Sequence, residues 1–157
     1  MVPHIRPAGP DDLPHILRLL KANNLPTSDL NNPMVTLFVC SMNGKLAGTI
    51  GLQAYGSVGL LRSVSVADHF KNRGLGSIMV RYLLKFCGDA GCQHLFLLTT
   101  TAEAYFKKFD FTVVDREGVP LVIRETSEFK DICPASATAM VRIDKQNRSP
   151  LTQRMGK

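Results

Sequence analysis

The period of the apolar residues changes just after Val66, and that change limits the fold more than any other feature. From Thr36 to Val66, apolar residues come in runs of strand length. Downstream, Leu75, Ile78, Met79, Tyr82, Leu83 and Phe86 recur at i, i+3, i+4, i+7, i+8 and i+11, which predicts an amphipathic helix. Gly88 and Gly91 bracket its end, where a residue without a side chain suits the left-handed stop of a helix. His94 to Thr99 then carries the unbroken run Leu95-Phe96-Leu97-Leu98, as expected of a strand buried on both faces. Strand, helix and strand in this order make a parallel crossover.

The segments before Val66 predict an antiparallel meander. Thr36 to Ser41 and Lys45 to Tyr55 flank Asn43-Gly44, a pair that tolerates positive φ and so favours a two-residue hairpin. Gly56-Ser57 turns the chain again into Val58 to Val66. Ahead of the meander, Ile5-Arg6-Pro7 is a short strand, and Pro10, Asp11 and Asp12 open a helix with apolar positions Leu13, Ile16, Leu17 and Leu20. That helix ends near Asn23-Asn24, and 25–33 is a loop or short helix. A short helix over Ala102 to Lys108 and strands over Phe111 to Asp115 and Thr138 to Ile143 complete a mixed α/β domain over residues 1–143. Residues 144–157, with Lys145, Arg148, Arg154 and Lys157, read as a basic polar tail.

The 157 residues, 45% hydrophobic and 20% charged, suit one globular domain and exclude disorder and collagen-like repeats. No apolar run reaches the roughly 18 residues of a membrane span, and the N-terminus lacks the layout of a signal peptide, so a cytoplasmic protein is expected. The formal charge of +6 favours an anionic partner. Because the basic residues form no tract, a polyanionic small molecule is expected rather than nucleic acid. Cys40, Cys87, Cys92 and Cys133 share no Cys-x-x-Cys spacing, and His4, His15, His69 and His94 are scattered. No metal site is expected, and the thiols should be reduced and packed as small apolar groups.

The anion should meet Lys71-Asn72-Arg73-Gly74-Leu75-Gly76-Ser77, which lies between a strand and the strongest helix. Glycines at a helix start let main chain approach a ligand, and the first N–H groups of a helix have no intrahelical acceptor. With the macrodipole and the charges of Lys71 and Arg73, the segment suits a pyrophosphate. A dinucleotide fingerprint would need a third glycine where Met79 stands, and no Gly-Lys-Ser/Thr makes a Walker loop. The plainer alternative is a helix start whose glycines only permit a turn.

Val64-Ser65-Val66 followed by Lys71 to Gly76 resembles the acetyl-coenzyme A signature of the GNAT acyltransferase superfamily, Gln/Arg-x-x-Gly-x-Gly/Ala, with Lys71 in its first position. The resemblance covers residues 4 to 143. It implies the GNAT fold, a mixed sheet whose parallel fourth and fifth strands splay apart at the acetyl group, flanked by helices. It also implies acetyl-CoA as co-substrate, with Val64, Ser65 and Val66 alongside the pantetheine and Lys71, Asn72, Arg73, Gly74, Leu75, Gly76 and Ser77 around the pyrophosphate. Leu95 to Thr100, Tyr105-Phe106 and Phe109-Asp110-Phe111 resemble the acetyltransferase domain of N-acetylglutamate synthases. Leu60-Leu61-Arg62-Ser63 and Cys133 to Ala137 are closer to the small N-acetyltransferases of bacterial arsenic-resistance operons. An amino acid or amino-acid analogue, glutamate-like or containing arsenic or phosphorus, is the acceptor these likenesses imply. A homodimer is common among such folds.

Arg62 interrupts the apolar strand Leu60 to Val66, where an unpaired charge is costly. Its fork could hold an acceptor carboxylate, or it could close an internal salt bridge with a nearby acid. Thr99 falls where many family members place an asparagine against pantetheine, and Thr100 is adjacent. Equally, Thr100 or Thr101 could cap the next helix. Arg124, Ser127 and Ser136 could line the acceptor pocket or be ordinary surface residues.

The implied reaction is direct acetyl transfer to an amine, which must first lose a proton; no cysteine is needed as nucleophile. Phe106 occupies the place of the family's acidic tyrosine, Asp110 that of a glycine, and Leu60 that of a catalytic glutamate. Glu103 is then the nearest acidic candidate, with a water chain to a main-chain carbonyl as the other route. Two further readings are a non-catalytic acyl-CoA-binding module and a protein or polyamine N-acetyltransferase.

Overall fold

The computed structural model describes residues 2–131 and 137–144. Cys133, Ser136 and residues 145–157 of the expected tail lie outside the described residues. Seven strands, β1 (His4–Pro7), β2 (Val35–Met42), β3 (Lys45–Tyr55), β4 (Val58–Val66), β5 (His94–Thr99), β6 (Thr112–Val113) and β7 (Thr138–Ile143), form one sheet in the order β1-β2-β3-β4-β5-β7-β6. The helices are α1 (Leu13–Ala22), α2 (Leu75–Ala90), α3 (Glu103–Lys107), α4 (Leu121–Arg124) and α5 (Ser127–Asp131). The chain divides into two compact units, Met1–Gln53 with Leu61–Lys85 and Ala54–Leu60 with Phe86–Lys157.

In the first unit β1 and β2 are antiparallel from His4↔Ser41 to Pro7↔Phe38, and β2 and β3 from Val35↔Gln53 to Met42↔Lys45. Asn43 and Gly44 have φ of 55° and 76°, the two left-handed residues that the hairpin requires. Ile16 and Leu20 of α1 pack with Leu30 and Val39 as one apolar cluster. A 3₁₀ turn at Pro10–Asp12 leads into α1. There Arg6 grips Asp12 at 2.7 and 2.9 Å while the Gly9 N–H donates to the same carboxylate. The Arg6 bond, then that of Gly9, draws the Asp12 pKa down to about 2. Residues 25–33 hold turns and no helix. Gly48 of β3 leaves no room for a side chain against α2: a Cβ there would lie 2.8 Å from Met79 Cε and 2.9 Å from the Ser65 carbonyl.

In the second unit β4 runs parallel to β5 at Val58↔His94, Gly59↔Leu95 and Leu60↔Phe96. β5 and β7 are antiparallel from His94↔Ile143 to Thr99↔Thr138, and β6 pairs β7 at Thr112↔Val141 and Val113↔Met140. Leu60, Phe96, Val119, Ile123, Phe129 and Ala139 make the core.

The ends of the elements depart from expectation for local reasons. Gly88 lies inside α2, and the helix stops instead at Gly91, with φ 85°. The Cys92 N–H reaches the Cys87 carbonyl at 2.9 Å and the Gly91 N–H that of Gly88 at 3.3 Å, the two bonds of a Schellman end. Such an end brings the first and last of its residues together, here Cys87 and Cys92. Their mutual hydrogen bond, then burial, raises the Cys87 thiol. Cys40, Cys87 and Cys92 are free and buried. The buried face of α2 is Leu75, Met79, Val80, Leu83 and Cys87, while Ile78 and Phe86 are more than a third exposed. The expected strand over Phe111 to Asp115 is only Thr112–Val113. α4 and α5, of four and five residues, are too short to show a helical period in sequence.

Candidate functional site

The second half of β4 is a buried polar seam. Arg62 is 2% exposed, yet each side of its guanidinium is met. Nη1 donates to Asp29 Oδ2 and to Gln53 Oε1, both at 2.7 Å, Nη2 to Asp29 Oδ1 at 2.6 Å, and Nε to Ser63 Oγ at 3.2 Å. The Arg62 fork is therefore taken by a carboxylate of its own chain. Of its two readings, the internal salt bridge is the one observed, and the acceptor-carboxylate assignment is corrected accordingly. The pairing holds the Asp29 carboxyl below its ordinary range, chiefly through the Arg62 hydrogen bonds, against the opposing effect of burial.

Next to Arg62 the strand kinks. Ser63 has φ 60° and is 6% exposed, a left-handed conformation that costs a non-glycine residue about 1–2 kcal/mol. Its carbonyl accepts from Thr49 Oγ1 at 2.9 Å, a bond between buried groups. Beyond it Val64 and Val66 are half-buried and Ser65 is buried. Ser65 Oγ accepts from Asn23 Nδ2, and Asn23 Oδ1 in turn accepts from Lys71 Nζ at 3.4 Å. Asn23 thus links β4 to the glycine loop.

In that loop Asn72 and Gly74 have φ of 66° and 78°, two left-handed residues within three positions. Gly74 caps α2: its carbonyl takes the first helical bond from Ile78 at 3.2 Å. The N–H groups of Leu75 and Gly76 sit in the first turn, where helix geometry offers no acceptor. Lys71, Asn72, Arg73 and Gly74 are exposed, Gly76 and Ser77 half-buried, and Leu75 is buried as the anchor. Lys71 bonds Asp68 at 2.8 Å, and Arg73 lies 5.6 Å over the Phe70 ring. Both cations are thus held beside the helix start.

In the second unit the expected residues are placed singly. Thr99 Oγ1 accepts from the Ala102 N–H at 2.9 Å; Thr99, rather than Thr100 or Thr101, fixes the entry to α3. Thr100 is exposed. Glu103 opens α3 and pairs with Lys107 at 3.0 Å. Arg124 is exposed and donates from Nε to the Val119 carbonyl at 3.0 Å. Phe106 is buried, edge-on to Tyr105 and Phe111 at 5.3 and 5.7 Å. The turn that follows α3 closes on Asp110, with φ 70°; the Phe111 N–H reaches the Phe106 carbonyl at 3.3 Å and the Asp110 N–H that of Lys107 at 3.1 Å. This is a second Schellman end, with Phe106 and Phe111 as its contacting pair.

Residues 6–111 match the acetyltransferase (GNAT) family. The chain belongs to that family. An uncharacterised N-acetyltransferase of Chlorobaculum tepidum is 25% identical over 84 residues, which are 53% of this chain and 54% of the relative. The chain thus spans about half the length of that relative. N-acetylglutamate synthase from Neisseria gonorrhoeae, solved with coenzyme A and L-arginine, superposes with a TM-score of 0.76 at 20% identity, over 91% of this chain and 33% of the synthase. The ribosomal-protein-S18-alanine N-acetyltransferase of Escherichia coli superposes with a TM-score of 0.70 at 17% identity, over 90% of this chain and 94% of that protein. The GNAT fold is common to both, and their names give unlike acceptors.

For a GNAT chain, the Asp110 geometry explains the family's glycine: the position demands positive φ, and aspartate is among the few other residues that accept it. Asn23, Asp29, Thr49 and Gln53 belong to the β4 seam and were not expected there. A glutamine inside the apolar run of β3 was the one visible signal. Asp29 sits in a loop with no pattern, and Thr49 reads as an ordinary strand residue.

Proposed function

We propose that this protein is an acetyl-CoA-dependent N-acetyltransferase that acts on a small amine, an amino acid or amino-acid analogue. The observation that carries the reading is the cradle at Lys71 to Ser77. Its left-handed Asn72 and Gly74, its helix-start N–H groups and its two exposed cations fit a pyrophosphate. It follows a strand whose Val64 and Val66 are half-buried, and the pantetheine is assigned to run alongside them. Acetyl-CoA supplies the acetyl group already activated as a thioester. In this reading the loop holds the phosphates and Val64 to Val66 run along the pantetheine arm, and the family resemblance assigns Thr99 and Phe106 to the coenzyme as well.

The amine must shed its proton before attack. Glu103, half-buried on the first turn of α3, is the acidic group assigned to take it, directly or through water. Phe106 has no proton to give, so the departing thiolate is protonated by solvent. With Arg62 bound to Asp29, the acceptor carboxylate is assigned to Arg124 and Thr100. The likeness to glutamate-acetylating and arsenic-resistance-associated enzymes supports a glutamate-like acceptor. A cytoplasmic location and a homodimer belong to the same proposal.

Release of coenzyme A thiol from acetyl-CoA tests this across acidic amino acids, their phosphorus and arsenic analogues, neutral amino acids, polyamines and a lysine peptide. Turnover confined to carboxylate-bearing amines, with KM raised about tenfold in Arg124→Ala, is the expected result; that loss is the size of one charged hydrogen bond. Turnover on polyamines or peptide alone would overturn the amino-acid reading. The replacement of tyrosine and glutamate by Phe106 and Leu60 favours a second reading, a coenzyme-binding module without catalysis. Silence across the panel with coenzyme bound would support it.

A further inference from the structure

We infer that Thr49 and Arg62 are positioning residues for acetyl transfer, which lock Ser63 in its left-handed kink and so fix the main chain that the acyl group meets. This rests on the transferase reading above. A non-glycine residue held at φ 60° inside a buried strand is a strained element, and such strain persists only where the surroundings over-determine it. Here they do. Thr49 is fully buried and directs its hydroxyl to the Ser63 carbonyl, while Arg62 directs Nε to the Ser63 hydroxyl.

Arg62 cannot swing away, because Asp29 and Gln53 hold its other donors at 2.6 to 2.7 Å. Gly51 of β3 leaves room for this arrangement: a Cβ there would lie 3.3 Å from the Arg62 carbonyl and 3.5 Å from its Cγ. The kink also falls at a telling place in the chain. It lies three residues after Leu60, where β4 is last registered with β5, and directly before Val64, Ser65 and Val66. An ordinary strand would need neither the kink nor two buried polar side chains to hold it. Displacing reacting atoms by a fraction of an ångström lowers a rate while leaving remote binding intact, so the lock should be visible in kcat rather than in coenzyme affinity.

Thr49→Val keeps the shape of the side chain and removes the hydroxyl. The assay is thiol release from acetyl-CoA, with the acceptor that turns over fastest in the panel above and without any amine, alongside calorimetric titration of coenzyme A and a melting curve. The expected result is a kcat about tenfold lower below the melting transition, a coenzyme A Kd within twofold of wild type, and recovery to within twofold in Thr49→Ser. A Thr49→Val protein that melts earlier but turns over at the wild-type rate overturns the positioning role. So does a loss of rate that follows a loss of coenzyme affinity and is not restored by serine. A wild-type protein that binds coenzyme A and releases no thiol with any amine of the panel above overturns the transferase reading, and the positioning role with it.

Discussion

The kinked half of β4 and the segment from Thr99 to Arg124 both hold residues expected to work at the site, yet they are built in opposite ways. Around β4 the polar groups are buried and bonded to one another: Arg62, Ser63, Thr49 and Gln53 are each at most 6% exposed. In the other segment Thr100 and Arg124 face solvent, and Glu103 keeps one ordinary helical ion pair. A buried polar seam is fixed before any ligand arrives, whereas exposed side chains can rearrange around one. In the proposed function the first region serves the acetyl transfer itself and the second the choice of acceptor.

The largest expected effect breaks the seam itself. Arg62→Ala leaves Asp29 and Gln53 facing each other without their cation, and removing one partner of a buried pair costs about 3–5 kcal/mol. Denaturant melts should show it at pH 7. Asp29→Asn sharpens the point through pH. Because the Asp29 pKa is depressed on folding, its contribution is full above the ordinary carboxylate pKa and is lost as pH falls through the folded value. The stability gap between wild type and Asp29→Asn should thus close in acid. A gap that stays constant down to pH 2 would contradict the ion pair.

A smaller effect of opposite sign is expected in the second region. Asp110→Gly relieves the left-handed strain at the end of α3 but gives the unfolded chain more freedom. The net should be a gain of about 0.5–1 kcal/mol, read as a raised melting temperature. A lower melting temperature would mean that the aspartate side chain stabilises the turn.

Legibility in the sequence follows the same division. β3, β4, β5 and β7 begin and end where alternation, apolar runs and turn residues place them, because each is bounded by local chemistry such as Asn43-Gly44. The candidate coenzyme loop stands out in the sequence because its glycines and cations are contiguous. The partner of Arg62 was not, since Asp29 is 33 residues away in a loop without pattern, and only folding brings the two together. The stop of α2 at Gly91 rather than Gly88 was equally hidden. Both are glycines, and only the main-chain bonds to Cys87 and Gly88 distinguish them.

In the proposed function the loop and the kinked half of β4 receive the coenzyme together. Titration of acetyl-CoA into ¹⁵N-labelled protein, followed by amide shifts, tests this most directly. The amides of Arg73 to Ser77 and of Val64 to Val66 should move together and saturate at one concentration. Shifts confined to other surfaces, or none at concentrations that saturate a known GNAT enzyme, would contradict it.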